Sequence, residues 1–268
     1  MTARSLLRIL IPEEFQPPTH LPRRILASIG YYRFRSWLAS RGGSVPNAGL
    51  YQPLFSPWEG LADFESQYRV VRKNTLVSRD RCYMLWCTLR QALHLPGDFV
   101  ECGVFRGGTA LLAARTIREI DAPNTRQFHL FDSFSGMPDK TDREETFGRG
   151  DFRRTSPAHV QSLLADYPFV KLHVGFIPDT FNGLSLPTIC WAHIDLDLYQ
   201  SVHDAIEYFY PRLAPGGYMI FDDYGFPSCP GARRAVDEAF SRKPEVPLCL
   251  PTGQCLVVKL AQQVAVSA

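Results

Sequence analysis

The chain has 268 residues, of which 45% are hydrophobic and 21% charged, and its formal net charge is +2. That length and apolar content suit one large globular domain, or one domain with an appendage, and leave ample material for a core. The nearly balanced charge lacks the clustered basic excess of a dedicated nucleic-acid binder, so nucleic acid is not an expected partner.

Residues 1–75 are rich in proline and arginine. RRILASIGYYRFRSWLASRGG predicts one helix from about Arg24 to Ser40, ended by Gly42 and Gly43. SVPNAGLYQPLFSPWEG then reads as a turn-rich stretch. This part is expected to form an N-terminal helical extension, with an oligomerisation arm or a flap over an active site as the competing readings. The arm reading makes a homo-oligomer the expected assembly.

Residues 76–268 are regular and form the expected main domain. SRDRCYMLWCTLRQAL has helical spacing with Ser78 at its N-cap. The strand PGDFVECGV follows, then a glycine-bearing turn and the helix GGTALLAARTIREI. RQFHLFDSF is a second strand ending in acid, SPAHVQSLLADY a helix, VKLHVGF a third strand and TICWAHIDLD a fourth. The helix SVHDAIEYFYPRL, the strand GGYMIFDDY, the helix ARRAVDEAFSRK and a closing strand CLVVKL complete the pattern. Strands alternating with helical patterns of about 10–15 residues predict a doubly wound α/β fold with a mainly parallel sheet. In such sheets ligands sit outside the carboxyl ends of the strands, where strand order reverses.

The seven cysteines are odd in number and scattered, and none falls in a C-x-x-C pair. A disulfide framework or zinc site is therefore not expected, and a reducing cytoplasm is. No run of about 18 apolar residues suggests a membrane span. The opening MTARSLLRILIPEEF meets acid too soon to read as a secretion signal, so no membrane partner is expected.

Three constellations carry chemistry. In FVECGVFRGGTA a strand delivers Glu101, the chain turns at Gly103, and Gly107 and Gly108 open a helix. Glycines let backbone approach a ligand, and the helix start offers free N–H groups. The pattern E-x-G-x-x-x-G-G is not the nicotinamide G-x-G-x-x-G; it is nearer the nucleoside-binding turn of S-adenosylmethionine enzymes. A tight turn with no ligand is the alternative. Asp132 ends the next strand. It is placed to accept from both hydroxyls of a ribose, or to cap the following turn.

The third constellation is Asp195, Asp197, Asp222 and Asp223, in AHIDLDLY and GGYMIFDDYG. Asp195 and Asp197 share a face if both stay extended, whereas Asp222 and Asp223 diverge unless their strand has ended. If the two strands are neighbours, about 4.8 Å apart, the carboxylates converge. Like charges that close raise one another's pKa unless a cation intervenes, and oxygen ligands favour Mg²⁺, Mn²⁺ or Ca²⁺. Helix caps on a solvated rim are the competing reading. His193 shares a strand face with Asp195 and reads equally as a site residue or a hydrogen-bonded core histidine, while His129 and His173 read as core. The charged stretch MPDKTDREETFGRGDFRRT is either a solvated loop or a lid facing substrate.

VECGVFRGG, LFDSFSGMP, HIDLDLYQS and GGYMIFDDYG together resemble the macrocin O-methyltransferase family, over about Thr75 to Leu260. The resemblance implies a class I methyltransferase fold, S-adenosylmethionine as methyl donor, Mg²⁺ as metal and a deoxysugar hydroxyl of a glycosylated natural product as acceptor. A phenolic or catechol acceptor stays open. It also implies site roles. Glu101 and Gly103 would meet the methionine end of the cofactor and Asp132 its ribose. Thr75 and Leu76 would fold over it, with Arg106, Gly108, Thr109, Ser133, Gly175 and Asp195 also on the cofactor side. Asp195, Asp222 and Asp223 would hold the metal, and Asp197, or Asp195 itself, would take the proton. Phe105 stands where the family often has tryptophan, and the loop 139–156 is individual.

Overall fold

The structure, a computed structural model, describes residues 33, 36, 37, 56–59, 61–121, 125–140 and 146–261. The chain divides into two units, Met1–Pro57 and Trp58–Ala268. In the first, Arg33, Ser36 and Trp37 are helical; they fall in the helix expected from about Arg24 to Ser40, whose other residues lie outside the described ones.

The second unit contains a seven-stranded sheet in the order β3-β2-β1-β4-β5-β7-β6. Its strands are β1 Asp98–Cys102, β2 Phe128–Asp132, β3 Val170–Val174, β4 Ile189–Ile194, β5 Leu213–Phe221, β6 Leu248–Cys249 and β7 Cys255–Val258. The first five run parallel, and β7 lies antiparallel on β5. β1 and β4 are buried at every residue, as strands covered by helices on both faces must be. Strand order reverses between β1 and β4, which makes that edge the switch point.

Side-chain alternation divides the core. Phe99, Trp191 and Ile220 join one cluster, under helices α1 (Ala62–Val71), α2 (Arg79–Ala92) and α3 (Gly108–Ile120). Their neighbours Val100, Ala192, Met219 and Phe221 join the other, under α5 (Tyr199–Phe209) and α6 (Pro230–Phe240). The helix α4, Pro157–Leu163, leads into β3 and is capped by Ser156, whose hydroxyl accepts from His159 N–H at 3.2 Å. Periodicity places the helix faces: Cys82, Leu85, Leu89 and Ala92 line the buried side of α2, and Val202, Ala205, Ile206 and Phe209 that of α5.

Each predicted strand and helix of the regular region is present. One strand and one α-helix were not expected from the sequence, β6 and α1. The helix α1 belongs to the same unit as the sheet and packs on α2 and α3. Its anchor is Phe64, fully buried and within ring-contact distance of Tyr68, Tyr83 and Trp86. Phe64→Ala is expected to cost about 3–5 kcal/mol, the range for emptying a buried aromatic site. Urea unfolding measures it; a loss below about 1 kcal/mol would mean that α1 is not part of the cooperative unit.

Candidate active site

The carboxyl ends of β1, β2, β4 and β5 open onto a cavity of about 260 Å³. The sheet ladder extends one residue beyond each strand here: Gly103 N–H donates to Phe131 O, Asp195 N–H to Cys102 O and Asp222 N–H to Ile194 O, each at 2.9 Å. Gly103 has φ +87, and a Cβ on it would lie 1.8 Å from the Asp195 carbonyl oxygen. Only glycine lets the β1 turn pass this close to the β4 acid. Gly108 plays a related part at the start of α3. Its N–H donates to Asn74 O at 3.0 Å, and a Cβ would lie 2.7 Å from the Thr75 Cβ. The segment 74–77 is thereby laid across the helix start, and Thr75 and Leu76 line the cavity.

Asp132 also lines it. Its Oδ2 accepts from Val104 and Phe105 N–H, both at 2.8 Å, and its Oδ1 from Phe134 N–H at 2.6 Å. The acid therefore holds the glycine turn and caps its own, whichever ligand it also meets. Ser133 donates to Gly136 O at 2.9 Å, and it too faces the cavity, as do Gly103, Thr109, Gly175, Asp195, Asp197 and Asp223.

Other sequence-predicted site residues stand apart from the cavity wall. Glu101 is fully buried, accepts from Thr109 Oγ1 at 2.5 Å through Oε1 and leaves Oε2 without a partner. Arg106 turns outward, donating to Arg154 O at 3.0 Å. Gly108 acts through the segment it admits, and Asp222 lies behind the wall. His193 proves to be a fully buried histidine between two acids, with Nδ1 3.8 Å from Glu101 Oε1 and Nε2 3.5 Å from Asp222 Oδ1. Burial opposes its charge, but those flanking carboxylates more than compensate and push it up to about 10.

The four aspartates form two adjoining groups. His193, Asp195 and Asp222 make one potential cation site, and Asp197, Asp223 and Cys229 the other, with ligand atoms within 4.8 Å of one another in each. Alternation explains the division. Asp222 follows Ile220 onto the α2 face, whereas Asp223 turns the other way and accepts from Asp197 N–H at 2.9 Å. Asp197 has left the extended region, with φ +57, so it does not share the face of Asp195. Its Oδ1 accepts from the Cys229 thiol at 3.2 Å.

The electrostatics are uneven. Burial, reinforced by neighbouring aspartates, raises Asp195 and Asp223 well above the usual carboxylate range. Burial also pushes Asp197 up to about 6, against the thiol bond of Cys229. Asp222 alone is lowered: burial is outweighed by His193, Arg81 and Gln254, which donates to Oδ1 at 2.7 Å. Arg81 pairs with Oδ2. Sequence reasoning missed Arg81 and Cys229, and also the wall residues Phe147, Phe152 and Phe226. Phe152 contacts Phe105 and Phe147, so part of the stretch read as loop or lid supplies an aromatic wall.

The strand order, the glycine turn and the acids at the switch point define a class I methyltransferase fold. The family description macrocin O-methyltransferase (TylF) matches residues 72–248, and the chain belongs to that family. It is 34% identical over 156 residues to demethyldecarbamoylnovobiocin O-methyltransferase of Streptomyces niveus, a match covering 54% of this chain and 58% of that protein. It is 32% identical over 181 residues to mycinamicin III 3''-O-methyltransferase of Micromonospora griseorubida, covering 62% and 69%. The first match thus spans less than two thirds of its relative. Among solved structures, the O-methyltransferase NovP superposes with a TM-score of 0.64 at 26% identity, over 70% of this chain and 83% of that one.

The bonds at Asp132 give a direct test of its structural share. Asp132→Ala removes an acceptor for three backbone N–H groups, and the ligand-free protein is expected to lose about 2–4 kcal/mol. Chemical unfolding without cofactor reads this; unchanged stability would leave ligand binding as the residue's whole contribution.

Proposed function

We propose that this chain is an S-adenosylmethionine- and Mg²⁺-dependent O-methyltransferase acting on a deoxysugar hydroxyl of a glycosylated natural product. The observation that carries the reading is one cavity lined both by the glycine turn and Asp132 and by Asp195, Asp197 and Asp223 beyond β4 and β5. Family membership and the names of the relatives point the same way.

The residues fit both groups. Gly103, Thr109, Asp132 and Ser133, with Thr75 and Leu76 above them, offer backbone and hydroxyl partners of the kind a nucleoside and an amino acid need. Asp195, Asp222 and Asp223 would hold the cation, as the family resemblance implies: Asp195 and Asp222 lie in one of the two donor groups and Asp223 in the adjoining one, and two of the three are short of positive charge. When bound, the donor supplies a methyl on a good leaving group, and the cation lowers the pKa of a coordinated hydroxyl.

The chain's own residues supply placement and the proton acceptor. Asp197 faces the cavity with its carboxylate steadied by Cys229 and its N–H by Asp223, a position suited to taking the acceptor's proton. Asp195 is the second candidate for that role. Phe105, Phe147, Phe152 and Phe226 form an apolar wall for the part of the acceptor beyond the sugar. Among the described lining residues the only cation is Arg81, already paired with Asp222, which suits an acceptor without phosphate. Thr75 and Leu76 line the cavity and would cover the donor side once it is filled, and alignment of hydroxyl and methyl would then account for much of the acceleration. Among the described residues no helix is long and apolar enough to cross a membrane; a cytoplasmic homo-oligomer is part of this proposal.

Transfer of labelled methyl from S-adenosylmethionine to a panel of deoxyhexosyl macrolides, glycosylated aminocoumarins and simple catechols tests it. At least one glycoside is expected to be methylated with Mg²⁺ and not with EDTA. Asp197→Asn and Asp223→Asn should each reduce transfer by about 10²-fold or more without lowering the melting temperature. Equal transfer in EDTA would remove the metal, and methylation of catechols alone would replace the acceptor class.

A further inference from the structure

Arg81 lines the cavity, and its charge is paired with a carboxylate that does not. It reaches from the first turn of α2 to Asp222, with side-chain exposures of 14% and 0%. Its Nε donates to Ser78 Oγ at 3.1 Å and an Nη to the Leu76 carbonyl at 3.3 Å. The guanidinium lies over the Phe226 ring, 4.9 Å from its centre. One side chain thus ties the wall segment 74–78 to a buried carboxylate of the β5 end.

Asp222 is well supplied without any further partner. Gln254 takes one oxygen, Arg81 the other, and His193 lies close by. Among the described residues no guanidinium makes an ion pair with Asp195 or Asp223, although Arg81 and His193 also lower Asp195 through space. The direct ion pair at this site therefore falls on the one acid that a cation would have to share with an arginine.

We infer that Arg81 is a positioning residue that holds Asp222 in the cation-free chain and competes with a divalent cation for that carboxylate. The inference rests on the reading of Asp195, Asp222 and Asp223 as cation-holding acids. A planar guanidinium matches a carboxylate oxygen well and cannot lose its charge. A hard divalent ion needs the same oxygens and repels the guanidinium beside them. Occupancy by the ion moves Arg81 off Asp222, while Phe226 and the Leu76 carbonyl keep its head near the cavity wall. Because Leu76 is one of its partners, the exchange also reports cation occupancy to the segment expected to cover the cofactor.

Calorimetric titration of Mn²⁺ into the full chain, without cofactor or acceptor, tests this directly. Arg81→Met is expected to bind Mn²⁺ about tenfold or more tightly than the wild type, since the competing charge is gone. Arg81→Lys keeps a charge without the fork and should tighten binding less. Mn²⁺ should also raise the melting temperature of Arg81→Met by more than that of the wild type, because the variant leaves Asp222 short of a partner. A wild type that binds Mn²⁺ and an Arg81→Met that binds it no better would overturn the inference alone. Failure of both the wild type and Arg81→Met to bind Mn²⁺ would remove the cation reading and the inference with it, whereas binding by Arg81→Met alone is the competition in its strongest form. If Arg81→Met does not fold, Arg81→Lys decides by the same sign, and affinity equal to the wild type overturns the competition.

Discussion

Crowded negative charge at the carboxyl edge of β4 and β5 is the constraint around which the rest of the site is arranged. Four aspartates end two hydrogen-bonded parallel strands, and three are pushed above or toward the top of the carboxylate range by burial and one another. Such a cluster is costly unless it is divided, bonded or neutralised. The chain uses all three devices. Alternation divides it, the Asp197 N–H and Cys229 thiol supply bonds, and Arg81 neutralises Asp222. What remains short of compensation is the pair Asp195 and Asp223, which face the cavity.

The glycine turn beside these acids answers to a steric constraint. Gly103 has no room for a side chain because the Asp195 backbone passes beneath it, and Gly108 has none because residues 74 and 75 do. These approaches bring the turn, the covering segment and the acid edge to one opening. Asp132 then fixes the turn through three backbone donors. The geometry that would orient a donor methyl against an acceptor oxygen is thus built into backbone contacts, where it does not depend on long side chains.

Much of this was legible in the sequence because parallel strands and their crossover helices write strong local patterns. DFVEC and ICWAHI read as buried strands, and the acids beyond them read as an edge. The helix α1 escaped because its residues 62–71 follow a turn-rich stretch and carry few apolar anchors; Phe64 is recognisable as core only once Trp86 and Tyr83 pack on it. Asp132 was legible as a ribose acid or a turn cap, and its bond from Phe134 is that cap; its bonds from Val104 and Phe105 were not legible, since they cross between strands. The convergence expected of Asp195, Asp222 and Asp223 depended on where β5 ends. Alternation carries past Phe221, so Asp222 and Asp223 part. Arg81 was invisible for a simpler reason: it pairs with a residue 141 positions away, and a charge in the first turn of a helix reads locally as solvated.

Crystals grown with Mn²⁺ and S-adenosylhomocysteine would test the central claim most directly, through anomalous scattering. The account expects one strong anomalous peak among the carboxylates of Asp195, Asp222 and Asp223, with the Arg81 guanidinium displaced from Asp222. No peak there at saturating Mn²⁺, with Arg81 still paired to Asp222, would contradict it.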